Sequence, residues 1–294
     1  MTINKKSFAI ALSCYTLWGI LPAYWNLLAG VDPFLILCCR IIFSFVFMIC
    51  FLKATGRMQA FRDTITNKTA MRYLVPASIL ITFNWGLFIW AVNNGRVLDS
   101  SLGYYMNPLI AFLLGIVLFR EKFLRLQLVA VGLAVTGVII SLIAFGSFPY
   151  VAVGLSVSFA IYGTLKKKAQ ADPAASIAVE SLIITPFAII FSAIFMRDSI
   201  MSLNIVNALL LIGGGILTAI PLVLYARAIN DIPFITVGFL QYIGPSLTLI
   251  YGLIIGETPS DAQVVSFVFI GLGLIVFTIA IIRKAKGLTA TQKA

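Results

Sequence analysis

Two stretches decide how the chain folds: AVNNGRVLDSSLGYYMNPLIAFLLG, residues 91–115, and AINDIPFITVGFLQYIGPSLTLIYG, residues 228–252. They align without a gap, and most of the residues they share are types that apolar helices use sparingly. The identities are Ala91/Ala228, Asn93/Asn230, Tyr105/Tyr242, Pro108/Pro245 and Gly115/Gly252. The match indicates an internal repeat, with one half over residues 1–146 and the other over residues 147–294.

The composition places both halves in a lipid bilayer. Hydrophobic residues make up 61% of the chain and charged residues 11%, whereas a soluble domain carries about 25% charged residues. A soluble protein needs polar residues to cover its surface. The chain is therefore expected to be an integral membrane protein.

Apolar runs of membrane-spanning length set the expected fold class. A hydrocarbon core of about 30 Å needs about 20 apolar residues per helix. Ten runs qualify: 7–28, 34–52, 73–92, 98–118, 126–145, 149–165, 174–196, 205–227, 234–255 and 262–282. We expect an all-α polytopic protein with ten transmembrane helices. The first run could also be a cleaved signal peptide, but its length and its Trp18, Gly19 and Pro22 favour a retained helix.

The basic residues predict the orientation. With the N-terminus in the cytoplasm, 18 of the 21 lysines and arginines fall on the cytoplasmic side, as the positive-inside rule requires. Arg96 and Arg197 fall outside, and Arg40 falls within a span. Ten spans then leave both termini cytoplasmic.

Five helices per half is an odd number, so the second half must enter the membrane upside down. Inverted repeats of this kind are typical of alternating-access transporters, whose substrate site lies near the midplane between the halves. We therefore expect two inverted five-helix repeats with a central site.

One ionisable residue stands at the same place in each half. DPFLILCCR, residues 32–40, matches DPAASIAVE, residues 172–180. In each stretch the aspartate is a natural N-cap and the proline suits the first helical turn. Seven residues at 1.5 Å each place Arg40 and Glu180 roughly 10 Å below opposite membrane faces. Such a charge costs about 2.5–3.5 kcal/mol, which favours a gating pair, a charge pair for a zwitterion or a proton-linked carboxylate. Alternatively, Arg40 snorkels to the interface and a protonated Glu180 bonds to a neighbouring helix.

Other polar and aromatic residues in the spans are candidates for binding or gating. Mid-helix prolines near residues 108 and 245 release backbone carbonyls, so the flanking side chains either line a substrate path or accompany packing kinks. Together with Arg40 and Glu180, the candidates are Trp18, Asn84, Trp85, Tyr105, Asn107, Gln241 and Tyr242.

Several function classes are disfavoured by the sequence. It has no Gly-x-x-x-x-Gly-Lys-Ser/Thr phosphate loop, no His-Glu-x-x-His motif and no histidine at all, so we expect neither an enzyme nor a metal or cofactor site. The basic residues fall in short groups between spans rather than on one arm, which disfavours nucleic-acid binding. The driving force would be protons or the substrate's own gradient.

The segments YTLWGILPAYW, NWGLFIWAVNN, SLGYYMNPLIAFLLGIVLFREKF and GFLQYIGPSLTLIYG resemble the RarD-like branch of the EamA family, in the drug/metabolite transporter superfamily. The resemblance implies ten helices in two inverted repeats, a bacterial inner membrane and a central cavity. We expect a permease or exporter of a small organic solute, either an amino-acid-like metabolite or a drug-like molecule. The alternatives are a lipid-carrier or polyamine-type transporter, or a non-transporting scaffold or sensor.

Overall fold

The chain is almost entirely helical. The computed structural model describes residues 5–94, 96–146, 148–254, 256 and 259–291, and this part of the chain contains no β-strand. Its helices are α1 (Lys5–Asn26), α2 (Pro33–Ala54), α3 (Met58–Thr66), α4 (Lys68–Asn93), α5 (Val97–Phe119), α6 (Arg125–Phe145), α7 (Tyr150–Ala169), α8 (Pro173–Phe195), α9 (Arg197–Met201), α10 (Ile205–Asp231), α11 (Phe234–Leu240), α12 (Ile243–Ile254) and α13 (Asp261–Thr291).

Nine stretches of described helix are long and apolar enough to cross a membrane. One of them, residues 234–254, is interrupted between α11 and α12. Helix α7 is less apolar because three lysines close it, but half of its residues are buried, and it packs along α4 and α5. With α7 included, each predicted run corresponds to a long helical segment, and the all-α polytopic fold is confirmed.

Helix packing relates the two halves. The first half supplies α1, α2, α4, α5 and α6, and the second supplies α7, α8, α10, the α11–α12 pair and α13 in the same order. Corresponding helices pack on each other: α2 on α8, α5 on α11 and α6 on α13. Other large contacts also exchange when the halves are exchanged, as α4 with α7 and α1 with α10 do. This is the packing of a two-repeat bundle.

Asp-Pro pairs begin α2 and α8, as predicted. The Asp32 carboxylate accepts a hydrogen bond from the backbone N–H of Leu35 at 3.2 Å, and Asp172 accepts one from Ala175 at 3.0 Å. The proline that follows each aspartate lies in the first turn, where its missing N–H costs nothing. These caps fix where each helix starts, and hence the depth of the charged residue seven positions further on.

A close approach of α2 and α10 holds the two halves together. A Cβ atom on Gly215 would lie 2.4 Å from the Cβ of Phe43, so only glycine fits. The Ser44 hydroxyl also donates to the Gly215 carbonyl at 2.8 Å. The glycines of α10 therefore serve close helix packing.

The helix ends define two faces of the bundle. One face carries the start of α1 and the connections α2–α4, α5–α6, α7–α8 and α10–α11. We call it the basic face, because exposed Arg57, Lys122 and Lys168 lie there, and we call the other the opposite face. Arg40 lies nearer the opposite face and Glu180 nearer the basic face.

Candidate functional site

A cavity lies between the two halves, at the centre of the bundle. About 340 Å³ of space not filled by atoms lies here, and this figure includes space that is open to the surroundings. Helices α2 and α4 of the first half and α8 and α10 of the second form its walls. The lining residues are Ile41, Ser44, Ser78, Ile81, Thr82, Trp85, Ile177, Glu180, Ser181, Ile184, Thr218 and Leu222.

The wall combines apolar side chains with hydroxyl groups, most of which donate their protons to helix carbonyls. Ser78 donates to the Val75 carbonyl at 2.7 Å, and Thr82 donates to the Ser78 carbonyl at 2.8 Å. Thr218 likewise donates to Gly214 at 2.7 Å. Because each hydroxyl oxygen also has lone pairs, these groups offer acceptors to whatever enters the cavity.

Arg40 stands at the edge of this cavity and is held by both halves. Its Nε donates to the Thr218 hydroxyl at 2.9 Å. Its Cζ lies 4.6 Å from the ring centroid of Trp25 and 4.8 Å from that of Trp85, which is cation–π distance. Arg40 is not itself among the lining residues, but Thr218 and Trp85, which contact its guanidinium, both line the cavity.

Glu180 lines the cavity and is paired with Lys166. The Lys166 ammonium lies 2.7 Å from one carboxylate oxygen of Glu180, and the Tyr162 hydroxyl donates to the other at 3.1 Å. Lys166 also donates to the Ser176 hydroxyl at 2.7 Å. Both members of the ion pair are buried. If either partner were removed, the other would be left as an uncompensated buried charge. The folded state therefore favours keeping the two side chains together.

Arg40 and Glu180 therefore form no ion pair with each other. They lie at different depths on neighbouring helices, and each has its own partners. Lys166 was not anticipated, because the Lys-Lys-Lys run that closes α7 was assigned to a cytoplasmic loop. The helix instead runs on to Ala169, which turns the first of these lysines into the bundle. A buried carboxyl group in an apolar helix is either protonated or paired with a counter-ion, and that requirement was the available signal.

Trp18 belongs to an aromatic cluster beside the Glu180 pair. Its ring centroid is 5.6 Å from that of Tyr225 and 5.9 Å from that of Phe159. Tyr225 in turn stacks on Tyr162, with centroids 6.1 Å apart. The cluster thus connects α1 to the hydroxyl that holds the Glu180 carboxylate.

Asn84 and Trp85 are adjacent in sequence but face different neighbours. The Asn84 amide donates to the Leu155 carbonyl and to the Ser158 hydroxyl, each at 2.8 Å. It therefore ties α4 to α7 in the interior, while Trp85 faces the cavity and Arg40.

Tyr105, Asn107, Gln241 and Tyr242 are buried together near the contact of α5 with the α11–α12 span. The Tyr242 hydroxyl donates to the Tyr105 carbonyl at 3.0 Å. Gln241 and Tyr242 occupy the interruption between α11 and α12. None of the four is among the residues that line the central cavity, although Tyr105 borders a second space of about 460 Å³ between α5, α6 and α13.

Ionic contacts join the halves at the basic face. The Glu121 carboxylate accepts hydrogen bonds from the N–H groups of Phe234 and Ile235 at 2.7 and 2.9 Å. The same carboxylate pairs with Lys167 at 2.8 Å. Glu121 thus caps a helix of the other half. At the same face, Arg57 of the first half forms an ion pair with Asp172, which caps α8 in the second half.

A two-repeat helical bundle with a partly polar cavity between its halves is the architecture of a membrane transporter. The EamA-like transporter family matches residues 5–143 and again residues 149–279, and the chain belongs to this family.

The chain is similar to Protein RarD of Escherichia coli (strain K12), with 38% identity over 282 residues, 93% of this chain and 94% of that protein. It is 40% identical over 282 residues to the Bacillus subtilis (strain 168) protein named Uncharacterized transporter YojE, covering 94% of each. A crystal structure of a protein 17% identical covers 94% of this chain and 98% of that one, with a TM-score of 0.73, and shows the same fold.

Proposed function

We propose that the chain is a secondary transporter that moves a small organic solute across the bacterial inner membrane by alternating access. The observation that carries this proposal is the central cavity, whose walls come from two helices of each half. A site built equally from both halves of an inverted repeat is positioned to open to either side when one half rocks against the other.

The solute class that fits this proposal is an amino-acid-like metabolite or a drug-like molecule. The cavity offers isoleucine and leucine side chains for an apolar body, together with hydroxyl oxygens and charged groups for a polar head. Lipid-carrier and polyamine-type substrates are the alternatives that a transport assay must separate.

The proposed orientation places the basic face in the cytoplasm, with both termini on that side, because lysines and arginines concentrate there. We further propose that residues 1–146 and 147–294 are the two repeat units. The boundary follows the connection between α6 and α7, where the two family matches also separate.

The driving force is proposed to be a proton gradient or the gradient of the substrate itself. Glu180 is the carboxylate in the cavity wall, so it is the residue through which proton coupling would act. Replacing it with glutamine, together with Lys166→Met so that no unpaired charge stays buried, should then abolish dependence on a pH gradient while exchange of substrate across the membrane continues.

The test is solute flux into proteoliposomes that contain the purified protein. A library of radiolabelled amino acids, organic acids, polyamines and antibiotics is applied with and without a pH gradient. The variant Thr82→Phe places a ring in the cavity wall and should abolish the flux seen with the wild type. Its control is Ile79→Phe on the same helix, where the side chain is 56% exposed on the outside of the bundle and flux should be retained. Equal flux in both variants would argue against the central cavity as the path.

A further inference from the structure

The unpaired donors of Arg40 point to the chemistry of the ligand. A guanidinium has five N–H donors, and the hydrogen bond from Nε to Thr218 is the only one that Arg40 makes within the described residues. Neither terminal nitrogen makes a hydrogen bond there or is sealed from solvent, and the Tyr104 side chain is an electrostatic neighbour of the guanidinium. The N–H groups on the two terminal nitrogens of the guanidinium are therefore available to bind a ligand.

Arg40 is also held without a carboxylate. The ion pairs found among the described residues leave it out, and the rings of Trp25 and Trp85 lie against its guanidinium instead. Cation–π contact uses the faces of the planar group. The in-plane N–H groups, which suit bidentate contact with a carboxylate, are left for a ligand.

The charge balance around the cavity favours an anion. Glu180 is neutralised by Lys166 at 2.7 Å, so the pair contributes no net charge to the site. Arg40 remains as one positive charge at a depth where charge is poorly solvated. Since charges interact more strongly in a medium of low dielectric constant, the attraction between Arg40 and an entering carboxylate is stronger there than in water, and it offsets the carboxylate's loss of hydration.

The rest of the wall suits the body of such a solute. Ile41, Ile81 and Leu222 offer apolar surface, and the hydroxyl oxygens of Thr82 and Thr218 accept hydrogen bonds because their protons are bound to helix carbonyls. We propose that Arg40 binds the carboxylate of a small organic monoanion, whose body lies against this wall. The proposal rests on the transport function above and narrows its substrate class. It disfavours polyamines, which would meet an unpaired positive charge.

The first experiment compares head groups on one carbon skeleton. The purified full-length protein is titrated with hydrocinnamate, hydrocinnamamide and phenylpropylamine, and with hexanoate, hexanamide and hexylamine, using the shift in melting temperature and the quenching of tryptophan fluorescence. The carboxylate of each series should bind roughly 10-fold or more tightly than its amide or amine, since charge-assisted hydrogen bonds contribute about twice as much as neutral ones.

The second experiment assigns this preference to Arg40. Arg40→Gln should weaken carboxylate binding by roughly 10- to 100-fold and leave the amide unchanged. Arg40→Lys keeps the charge without the planar fork and should fall between Arg40→Gln and the wild type. Arg40→Lys also provides the test if the Arg40→Gln variant does not fold. The matched control is Arg197→Gln, which removes one positive charge from an exposed site at the opposite face and should bind carboxylates as the wild type does.

Three outcomes would overturn the proposal: no carboxylate binds the wild type, the amine binds as well as the carboxylate, or Arg40→Gln and Arg40→Lys bind carboxylates unchanged. Proteoliposome flux separates this failure from failure of the transport function. If a neutral or cationic solute is transported and its flux is insensitive to Arg40→Lys, the transport function is supported and the carboxylate site at Arg40 is refuted. If the wild-type protein transports no solute in the library, the proposed transport function itself is refuted.

Discussion

Arg40 Nε donates a 2.9 Å hydrogen bond to Thr218 Oγ1, across 178 positions of sequence. This bond joins α2 of the first half to α10 of the second at the cavity edge. It also orients the guanidinium, because Thr218 donates its own proton to the Gly214 carbonyl and can only accept from Arg40 in that arrangement. Any movement of one half relative to the other at this level must either break this hydrogen bond or move Arg40 and Thr218 together.

Thr218→Val should weaken carboxylate binding without unfolding the protein. The valine keeps the volume of the side chain but removes the oxygen that orients the Arg40 fork. We expect a loss of stability of about 1 kcal/mol and a several-fold loss of affinity for hydrocinnamate, both measured by melting with and without ligand. Thr136→Val is the control, since its exposed hydroxyl bonds only to the Gly132 carbonyl of its own helix. Equal affinities in the two variants would show that the Thr218 oxygen does not orient Arg40.

Lys166→Met should be strongly destabilising. It leaves the buried Glu180 carboxylate without its counter-ion, which costs about 3–5 kcal/mol when one partner of a buried pair is removed. Thermal unfolding in detergent measures the loss. Lys168→Met, on an exposed lysine of the same run, should melt like the wild type. In the double variant Lys166→Met/Glu180→Gln the loss should be smaller than the sum of the single losses, because the two residues interact directly. Additive losses would mean that the pair contributes no coupling energy.

Glu121→Ala should loosen the basic face. It removes the acceptor for the first N–H groups of α11 and the partner of Lys167. Loss of a helix cap costs about 0.5–2 kcal/mol, so the melting temperature should fall. Asp63→Ala provides the comparison, because that exposed carboxylate contacts only Gln59 of the same short helix. If both variants melt alike, the contact between the halves at Glu121 does not stabilise the fold.

Gly215→Ala should separate α2 from α10. The added Cβ would lie 2.4 Å from the Cβ of Phe43, so the helices must move apart, at a cost of about 1–3 kcal/mol for overpacking. Gly132→Ala has no neighbour within 4 Å of the new Cβ and should instead stabilise α6 by up to about 1 kcal/mol. The melting temperatures of the two variants should therefore move in opposite directions. A Gly215→Ala variant as stable as the wild type would refute the close approach.

Features that depend on local chemistry could be predicted from the sequence. The aspartates before Pro33 and Pro173 cap their helices as expected, because an N-cap requires only its own next turn. The spans were also predictable, since the bilayer fixes their length and composition. The two-repeat fold followed from an alignment of helices that carry tyrosine, proline and glycine at the same places.

Pairings across the bundle could not be predicted in the same way. Trp25 contacts Arg40 from α1 and Thr218 contacts it from α10, and nothing in the sequence around either residue marks that contact. Lys166 was hidden in a basic run of the kind that usually faces the cytoplasm. Arg40 and Glu180 were chosen for their matching positions, and this symmetry gives their depths but not their partners. The roles of Arg40, Glu180 and the other candidate residues stay predictions.

The cap that Glu121 supplies to α11 has a consequence for how the protein is made. The first half leaves the ribosome before the N–H groups of Phe234 and Ile235 have been synthesised. The Glu121 carboxylate therefore lacks these hydrogen-bond donors until the second half has been inserted. We expect the two halves, produced as separate chains, to be degraded when either is made alone and to accumulate when both are made together. Accumulation of the first half by itself would show that five helices already form a finished folding unit.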